Sequence, residues 1–251
     1  MISAKPPFKV SETGGWTLHE YEAVPSTNDV AAGLGPWHAV QAAYQTAGRG
    51  RYNRNWVSGL GGLWISAVLP AEGDWRRWQV LPLGVGLAIA DLLVELGVDK
   101  LRLRWPNDIL VRDRKLAGLL LEQFQPGQVV VGIGLNVTNQ PELADPSLAG
   151  MSTRLSEHWG KPIGMDELVR RLLSSLRAVH EEMVRKGFES LLPRLNPLWG
   201  AARRVELDLR SERILGWFEG IDGQGRLCLR TDQGSTSWYS APQVVQLREV
   251  A

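Results

Sequence analysis

The sequence predicts an α/β (α+β) fold in two units, a mixed sheet with helices over residues 1–200 and a small β-rich unit over residues 201–251. Three observations predict it. Runs of strand length, alternating or wholly apolar, recur through the first two hundred residues, while only two long stretches carry helical spacing. From Arg203 the texture changes to about five short alternating runs separated by turn signals such as Asp222-Gly223 and Gln233-Gly234. With 251 residues and 44% hydrophobic content, the chain has enough apolar material to bury one large core and a small one.

Taken in order, residues 16–24 read as a strand, and Pro25-Ser26-Thr27-Asn28-Asp29 supplies helix-start chemistry, in which Ser26 or Thr27 serves as N-cap. Residues 38–44 read as a strand running into a glycine-arginine loop, and residues 63–69 as the strand leaving it after Gly59, Gly61 and Gly62. Residues 83–96 form an apolar helix closed by Gly97. Residues 101–105 form a strand stopped by Pro106, which cannot donate to a ladder, and Asn107-Asp108 follow as a turn. Residues 111–115 read as a hairpin turn into the strand 116–122. Residues 128–137 read as a buried strand, with Asn136 near its end in need of a partner. Residues 166–187 are an amphipathic helix, with Leu168, Val169, Leu172, Leu173, Leu176, Val179 and Met183 on one face, and a short helix over 188–195 precedes Pro197.

Several function classes are excluded or weakened. A formal net charge of +1 gives no general attraction to nucleic acid or membrane, so neither DNA nor a bilayer is an expected partner. The one cysteine, Cys228, cannot build a disulfide framework, and four scattered histidines form no metal-ligand spacing. Gly84-Val85-Gly86 and Gly132-Ile133-Gly134 lack the third glycine of a dinucleotide fingerprint, and no GxxxxGK[ST] phosphate loop occurs. No signal-peptide pattern opens the chain and no run is expected to reach the roughly 18 apolar residues of a membrane span, which makes a cytoplasmic address the default.

The stretch with the most chemistry is QTAGRGRYNRNW, residues 45–56. Gly48 and Gly50 let backbone approach a ligand closely, and Arg49, Arg51 and Arg54 offer forked donors suited to carboxylate or phosphate. No Asp or Glu occurs between Asp29 and Glu72, so nothing local neutralises these guanidiniums. By itself such a run reads most simply as a solvated basic loop. Its company is more specific: STN at 26–28, RWPND at 104–108, KLAGLLLE at 115–122 and GIGLNV at 132–137.

That set, in that order, resembles the biotin protein ligase family, whose members join biotin to ATP and then pass the biotinyl group to a lysine on a carboxylase subunit. The resemblance covers nearly the whole chain. It implies a catalytic domain of the biotin/lipoate ligase type over 1–200 and an SH3-like β-barrel over 201–251. It also implies a monofunctional member, because the chain begins too close to its catalytic motifs to hold the DNA-binding domain that some members carry. The cofactors implied are ATP and magnesium, with biotin as substrate. The implied partner is a biotin carboxyl carrier protein or domain of acetyl-CoA carboxylase, and the assembly is left open between monomer and homodimer.

Site residues follow by the same resemblance. Lys115, Arg51 and Asp108 are the implied catalytic set. Lys115 would neutralise the biotin carboxylate and the α-phosphate, and Asp108 would orient the acceptor amine or help hold magnesium, two roles left open. Ser26, Thr27, Asn28 and Gln45 belong to the implied biotin pocket, with Gly48, Arg49, Gly50, Arg51, Lys115 and Gly118. Arg49, Arg51, Arg54, Trp56, Asn107, Lys115 and Asn136 belong to the implied ATP or adenylate side. Two departures stand out: Asn53 occupies the place of the third glycine in GRGRxGRxW, and Arg104 the place of a frequent lysine. Asn is the next most tolerant residue of a left-handed backbone. A lipoate protein ligase, a non-enzymatic biotin sensor and a Gly-Arg nucleic-acid binder are the alternatives.

Overall fold

The computed structural model describes residues 6–250. Eight strands form one mixed sheet: β1 (Lys9–Thr13), β2 (Trp16–Val24), β3 (His38–Gln45), β4 (Leu63–Ala71), β5 (Leu101–Arg104), β6 (Asp108–Val111), β7 (Arg114–Glu122) and β8 (Gly127–Leu135). Their order is β1-β2-β3-β4-β8-β7-β6-β5, and among these strands only the β2–β3 pairing is parallel. A parallel neighbour needs a crossover, and the segment carrying the helix α1 (Thr27–Ala31) provides it. The β6–β7 hairpin closes on Arg112 and Asp113, with φ of 50° and 63°. Two left-handed residues in succession match the right-handed strand twist.

One face of the sheet is covered by α2 (Leu81–Glu95) and α3 (Met165–Lys186), which share one apolar core with it. Helix α2 is buried on nearly every side, as its continuous apolar composition requires. Helix α3 buries the seven residues expected from spacing and adds His180, whose Nε2 lies 2.8 Å from Pro70 O and whose ring stacks on Trp78. The segment Trp75–Glu95 is long and apolar enough to cross a membrane by length and composition, but 61% of its most apolar window is buried inside the protein. It is the core helix of this sheet. The short helix expected over 188–195 divides into a 3₁₀ turn, Phe188–Leu191, and α4 (Leu192–Leu195).

Five further strands, β9 (Arg203–Leu209), β10 (Arg213–Ile221), β11 (Leu227–Arg230), β12 (Thr236–Tyr239) and β13 (Val244–Glu249), form an antiparallel sheet in the order β12-β11-β10-β9-β13. It is joined to the first by Glu249, whose carboxylate accepts from Arg102 of β5 at 2.7 and 2.5 Å and from Arg203 at 2.8 Å. The indole N–H of Trp105 also donates to Gly225 O at 3.0 Å. Glu249→Ala should cost roughly 2 kcal/mol, below the 3–5 kcal/mol for breaking a fully buried pair because Arg102 keeps Asp113. Thermal unfolding checks this, with Tm expected to fall by about 4–8 °C.

Candidate active site

The face of the sheet turned away from α2 carries a strip with almost no side chains. Gly118 of β7 pairs directly with Gly134 of β8, and Gly132 pairs with Ser66 of β4. A Cβ on Gly134 would lie 2.5 Å from the Trp56 indole nitrogen, one on Gly118 would lie 2.9 Å from the same ring, and one on Gly132 would collide with Asn28 Oδ1. The glycines therefore give Trp56 and Asn28 direct access to the backbone of the sheet. Alternation makes this possible, since residues between the glycines, such as Leu119 and Ile133, turn into the helical core.

One continuous set of hydrogen bonds ties the start of α1, the end of β3 and the loop to this floor. Thr27 N–H donates to Gln45 Oε1 at 2.8 Å, and Thr27 Oγ1 lies 3.0 Å from the same oxygen. Gln45 Nε2 donates to Ser58 Oγ, whose hydroxyl donates to Trp56 O. Ser66 Oγ is 2.7 Å from Thr27 Oγ1 and 2.6 Å from Asn28 Oδ1, and Asn28 Nδ2 donates to Glu122 Oε2 at 2.6 Å. Ser66 has one proton for two oxygens. Ser66 donates to Asn28 Oδ1, which can only accept, and the single Thr27 proton then serves either Ser66 Oγ or Gln45 Oε1, so two hydroxyl protons are shared among three oxygen–oxygen contacts. Ser26 is the N-cap residue of α1 by position, but its hydroxyl caps nothing, and the first helical N–H, that of Thr27, is held by Gln45. A Cβ on Gly48 would collide with Ser58 Oγ, so this glycine is required by close approach.

The loop arginines have partners that only the folded chain supplies. Arg49 donates to both oxygens of Asp29, at 2.9 and 2.5 Å, and reaches Glu122 at 3.2 Å. Hydrogen bonding to Asp29 above all, with Glu122 assisting against burial, holds its guanidinium firmly protonated. Arg51 donates to Ala241 O at 2.7 Å and Val244 O at 2.9 Å, Tyr52 Oη to Val244 O at 3.1 Å, and Arg54 to Gln246 Oε1 at 3.3 Å. Burial pulls the Arg51 guanidinium below its ordinary pKa. Asn53 has φ of 55° where a glycine was expected, and Tyr52 beside it has φ of 56°, so two successive left-handed residues make the turn. Gly50, by contrast, has φ of −110°, and a Cβ there would meet only Arg54 O at an ordinary 3.8 Å, so nothing in its local geometry demands glycine.

At the edge of the glycine strip, Asp108 of β6 lies in register with Arg104 on one side and Gly118 on the other. Lys115 Nζ pairs with Asp108 Oδ1 at 2.7 Å, and Arg104 holds Oδ2 at 2.6 Å through one terminal nitrogen and 3.2 Å through Nε. Burial pushes the Asp108 carboxyl up, but Lys115 and Arg104 together outweigh it and leave it below the usual carboxylate range. The Lys115 ammonium also stands 4.8 Å over the centre of the Trp56 ring. A cation, a fixed carboxylate and an aromatic face thus meet over bare backbone.

Residues 31–137 match the Biotin/lipoate A/B protein ligase family and residues 203–244 the Biotin protein ligase C terminal domain. A Biotin--[acetyl-CoA-carboxylase] ligase of Mycobacterium tuberculosis is 36% identical over 214 residues, covering 82% of this chain and 78% of that protein. The chain belongs to the biotin protein ligase family. The Bifunctional ligase/repressor BirA of Escherichia coli is 34% identical over 203 residues, 78% of this chain but only 63% of that longer relative. The structure of the biotin protein ligase from Aquifex aeolicus in complex with biotin and ATP superposes with a TM-score of 0.78 at 27% identity, over 93% of this chain and 99% of that one. The mixed sheet with its helices is thus a catalytic domain of the biotin/lipoate ligase type, and the antiparallel sheet is the SH3-like C-terminal domain of biotin protein ligases.

Within that family fold, Ser26 and Gly50 have no distinctive contact among the described residues, and the other sequence-derived residues divide into three groups. Thr27, Asn28, Gln45, Gly48, Trp56, Asp108, Lys115 and Gly118 converge on the glycine strip. Arg51 and Arg54 instead engage the C-terminal sheet, and Arg49 is neutralised by two carboxylates, which corrects the expectation of three uncompensated guanidiniums. Asn107 and Asn136 have structural partners: Asn107 Nδ2 donates to Leu119 O, and Asn136 Nδ2 to Thr153 O while its oxygen accepts from Asn139. Sequence reasoning missed Glu122, Ser66 and Gly134 as parts of the site. Ser66 was the most detectable, as the one polar residue in the apolar run Leu63–Ala71, because a fully buried hydroxyl needs partners.

Proposed function

We propose that the protein is a biotin protein ligase: it activates biotin with ATP to biotinyl-5'-AMP and transfers the biotinyl group to a lysine of a biotin carboxyl carrier protein. The observation that carries this reading is the Lys115 ammonium, held between Asp108 and the Trp56 face beside a groove floored by Gly118, Gly132 and Gly134. A carboxylate is a poor electrophile, and bringing it to a triphosphate sets like charges together. A preorganised cation and N–H donors offset that repulsion. In this proposal the biotin carboxylate attacks the α-phosphorus and pyrophosphate departs, with Lys115 facing the developing charge. Thr27, Asn28 and Gln45 present the polar end of the pocket, and the aromatic face of Trp56 covers the adenylate side.

In the second step a lysine amine attacks the biotinyl carbonyl carbon, a C–N bond forms and AMP leaves with the C–O electron pair. The proton released from nitrogen passes to water. Asp108, paired with two cations, is suited to orient that amine as a hydrogen-bond acceptor and ill suited to remove its proton. Among the described residues no group of three or more His, Cys, Asp or Glu side chains could hold a metal ion, and Asp108 already faces Lys115 and Arg104. These residues do not fit a dedicated magnesium site, and the proposal assigns magnesium to the nucleotide phosphates. It further assigns residues 1–200 to catalysis and 201–251 to the C-terminal domain, in a cytoplasmic setting where ATP and carrier protein are supplied.

The test is mass spectrometry of the small-molecule product after incubation with ATP, magnesium and either biotin or lipoate. Biotinyl-adenylate with biotin, and no adenylate with lipoate, is the expected result. Lipoyl-adenylate alone would assign the chain to the sister activity, and tight biotin binding without pyrophosphate release would make it a sensor.

A further inference from the structure

Asp108 has two cationic partners of different kinds. Arg104 is its direct cross-strand neighbour in the β5–β6 hairpin and grips Oδ2 through two nitrogens of a rigid fork. Lys115 touches only Oδ1, from the end of a flexible four-carbon stem on the next strand. A bound anion beside Trp56 competes for the Lys115 ammonium, which can swing by rotating its stem, whereas it competes poorly for the guanidinium held by its planar fork. The remaining charged group facing Asp108 is Arg51 of the loop, which is committed to the Ala241 and Val244 carbonyls. Asn107 is committed to Leu119 O.

We infer that Arg104 is a positioning residue for the transfer step: it keeps hold of Asp108 Oδ2 when Lys115 leaves Oδ1 for the anionic ligand, so that Oδ1 becomes the acceptor for an N–H of the incoming lysine amine. This rests on the ligase reading above. Without Arg104, the departure of Lys115 leaves a buried carboxylate with no contacting cation. Such a group takes up a proton and turns from hydrogen-bond acceptor to donor. Removing a cation raises the carboxyl pKa, so the ionised form is lost at higher pH and the acid limb of the transfer rate moves upward.

The experiment separates the two half-reactions. Single-turnover transfer from enzyme-bound biotinyl-adenylate to a biotin carboxyl carrier domain is followed between about pH 5 and 9, beside the rate of adenylate formation from biotin and ATP. Arg104→Gln should move the acid limb of transfer up by about one pH unit, slowing transfer about tenfold on that limb and little above it, with adenylate formation changed less than about threefold. Arg104→Lys should restore most of the transfer rate, and Arg104→Met repeats the test should Gln destabilise the hairpin. Transfer equal to wild type at every pH, or adenylate formation falling as far as transfer, would overturn the inference. Carboxyl ¹³C NMR of Asp108, assigned by comparison with Asp108→Asn, gives a readout independent of turnover. An unchanged Asp108 titration in Arg104→Gln refutes the hold itself, whereas absence of adenylate in the wild type refutes the ligase reading and leaves the NMR result standing.

Discussion

Lys115→Ala should lower the rate of biotinyl-adenylate formation by about 10³-fold, the upper part of what removing one preorganised transition-state donor costs. The expectation is large because the other cations described around the groove are committed. Arg49 is taken by Asp29 and Glu122, Arg51 by the Ala241 and Val244 carbonyls, and Arg104 by Asp108. Arginine at 115 keeps the charge but not the compact ammonium over the Trp56 ring, and should recover only part of the rate. The fold should survive, since Asp108 retains Arg104 after the substitution. Rapid-quench measurement of adenylate with saturating biotin and ATP checks this, and a loss smaller than about tenfold would remove Lys115 from the reaction centre.

The second large effect concerns Gly134. An added methyl carbon would lie 2.5 Å from Trp56 Nε1 and 2.6 Å from its neighbouring ring carbon, so Gly134→Ala must displace the indole or lift the loop. A displacement of about 1 Å in a positioning group can cost on the order of 100-fold, and we expect that loss in kcat/KM for ATP, with Tm nearly unchanged because the loop can yield. Gly50→Ala makes the contrast. Its backbone is extended and its surroundings leave room for a methyl group, so despite its place in the glycine-arginine motif it should stay within about twofold of wild type. Steady-state kinetics on the pair decides the matter. Equal losses at both positions would mean that motif membership, not contact with Trp56, sets the requirement.

Much of the architecture could be read from the sequence, because the signals were local. Strands β2 to β5, β7 and β8 and helices α2 and α3 lie within about two residues of their expected spans, since hydrophobic period and glycine C-caps act over a few residues, whereas β6 starts at Asp108, where a turn was expected, because pairing with β5 and β7 on both sides draws those four residues into the sheet. The other unexpected strand, β1, has no apolar run: KVSET becomes a strand by pairing with β2 and through the Lys9–Glu20 ion pair at 2.7 Å. The site was half legible for the same reason. Its residue types stood out as glycines, arginines and a lysine, but their partners did not. Glu122 is 73 positions from Arg49 and 94 from Asn28, and no local pattern joins them. Asn136 shows the complement: its need for a partner at a buried strand end was legible, whereas which groups supply it, the Thr153 carbonyl and Asn139, was not.

The anchoring of Arg51 has a consequence for biogenesis. Its carbonyl acceptors, Ala241 and Val244, lie 190 and 193 positions later in the chain. During synthesis at roughly 5–20 residues per second, the loop therefore leaves the ribosome on the order of ten seconds or more before its anchor exists. The nascent sheet can be complete while the loop still lacks these two contacts. Anchoring of the loop thus waits for the arrival of residues 241–244, long after the sheet that carries the loop has been made.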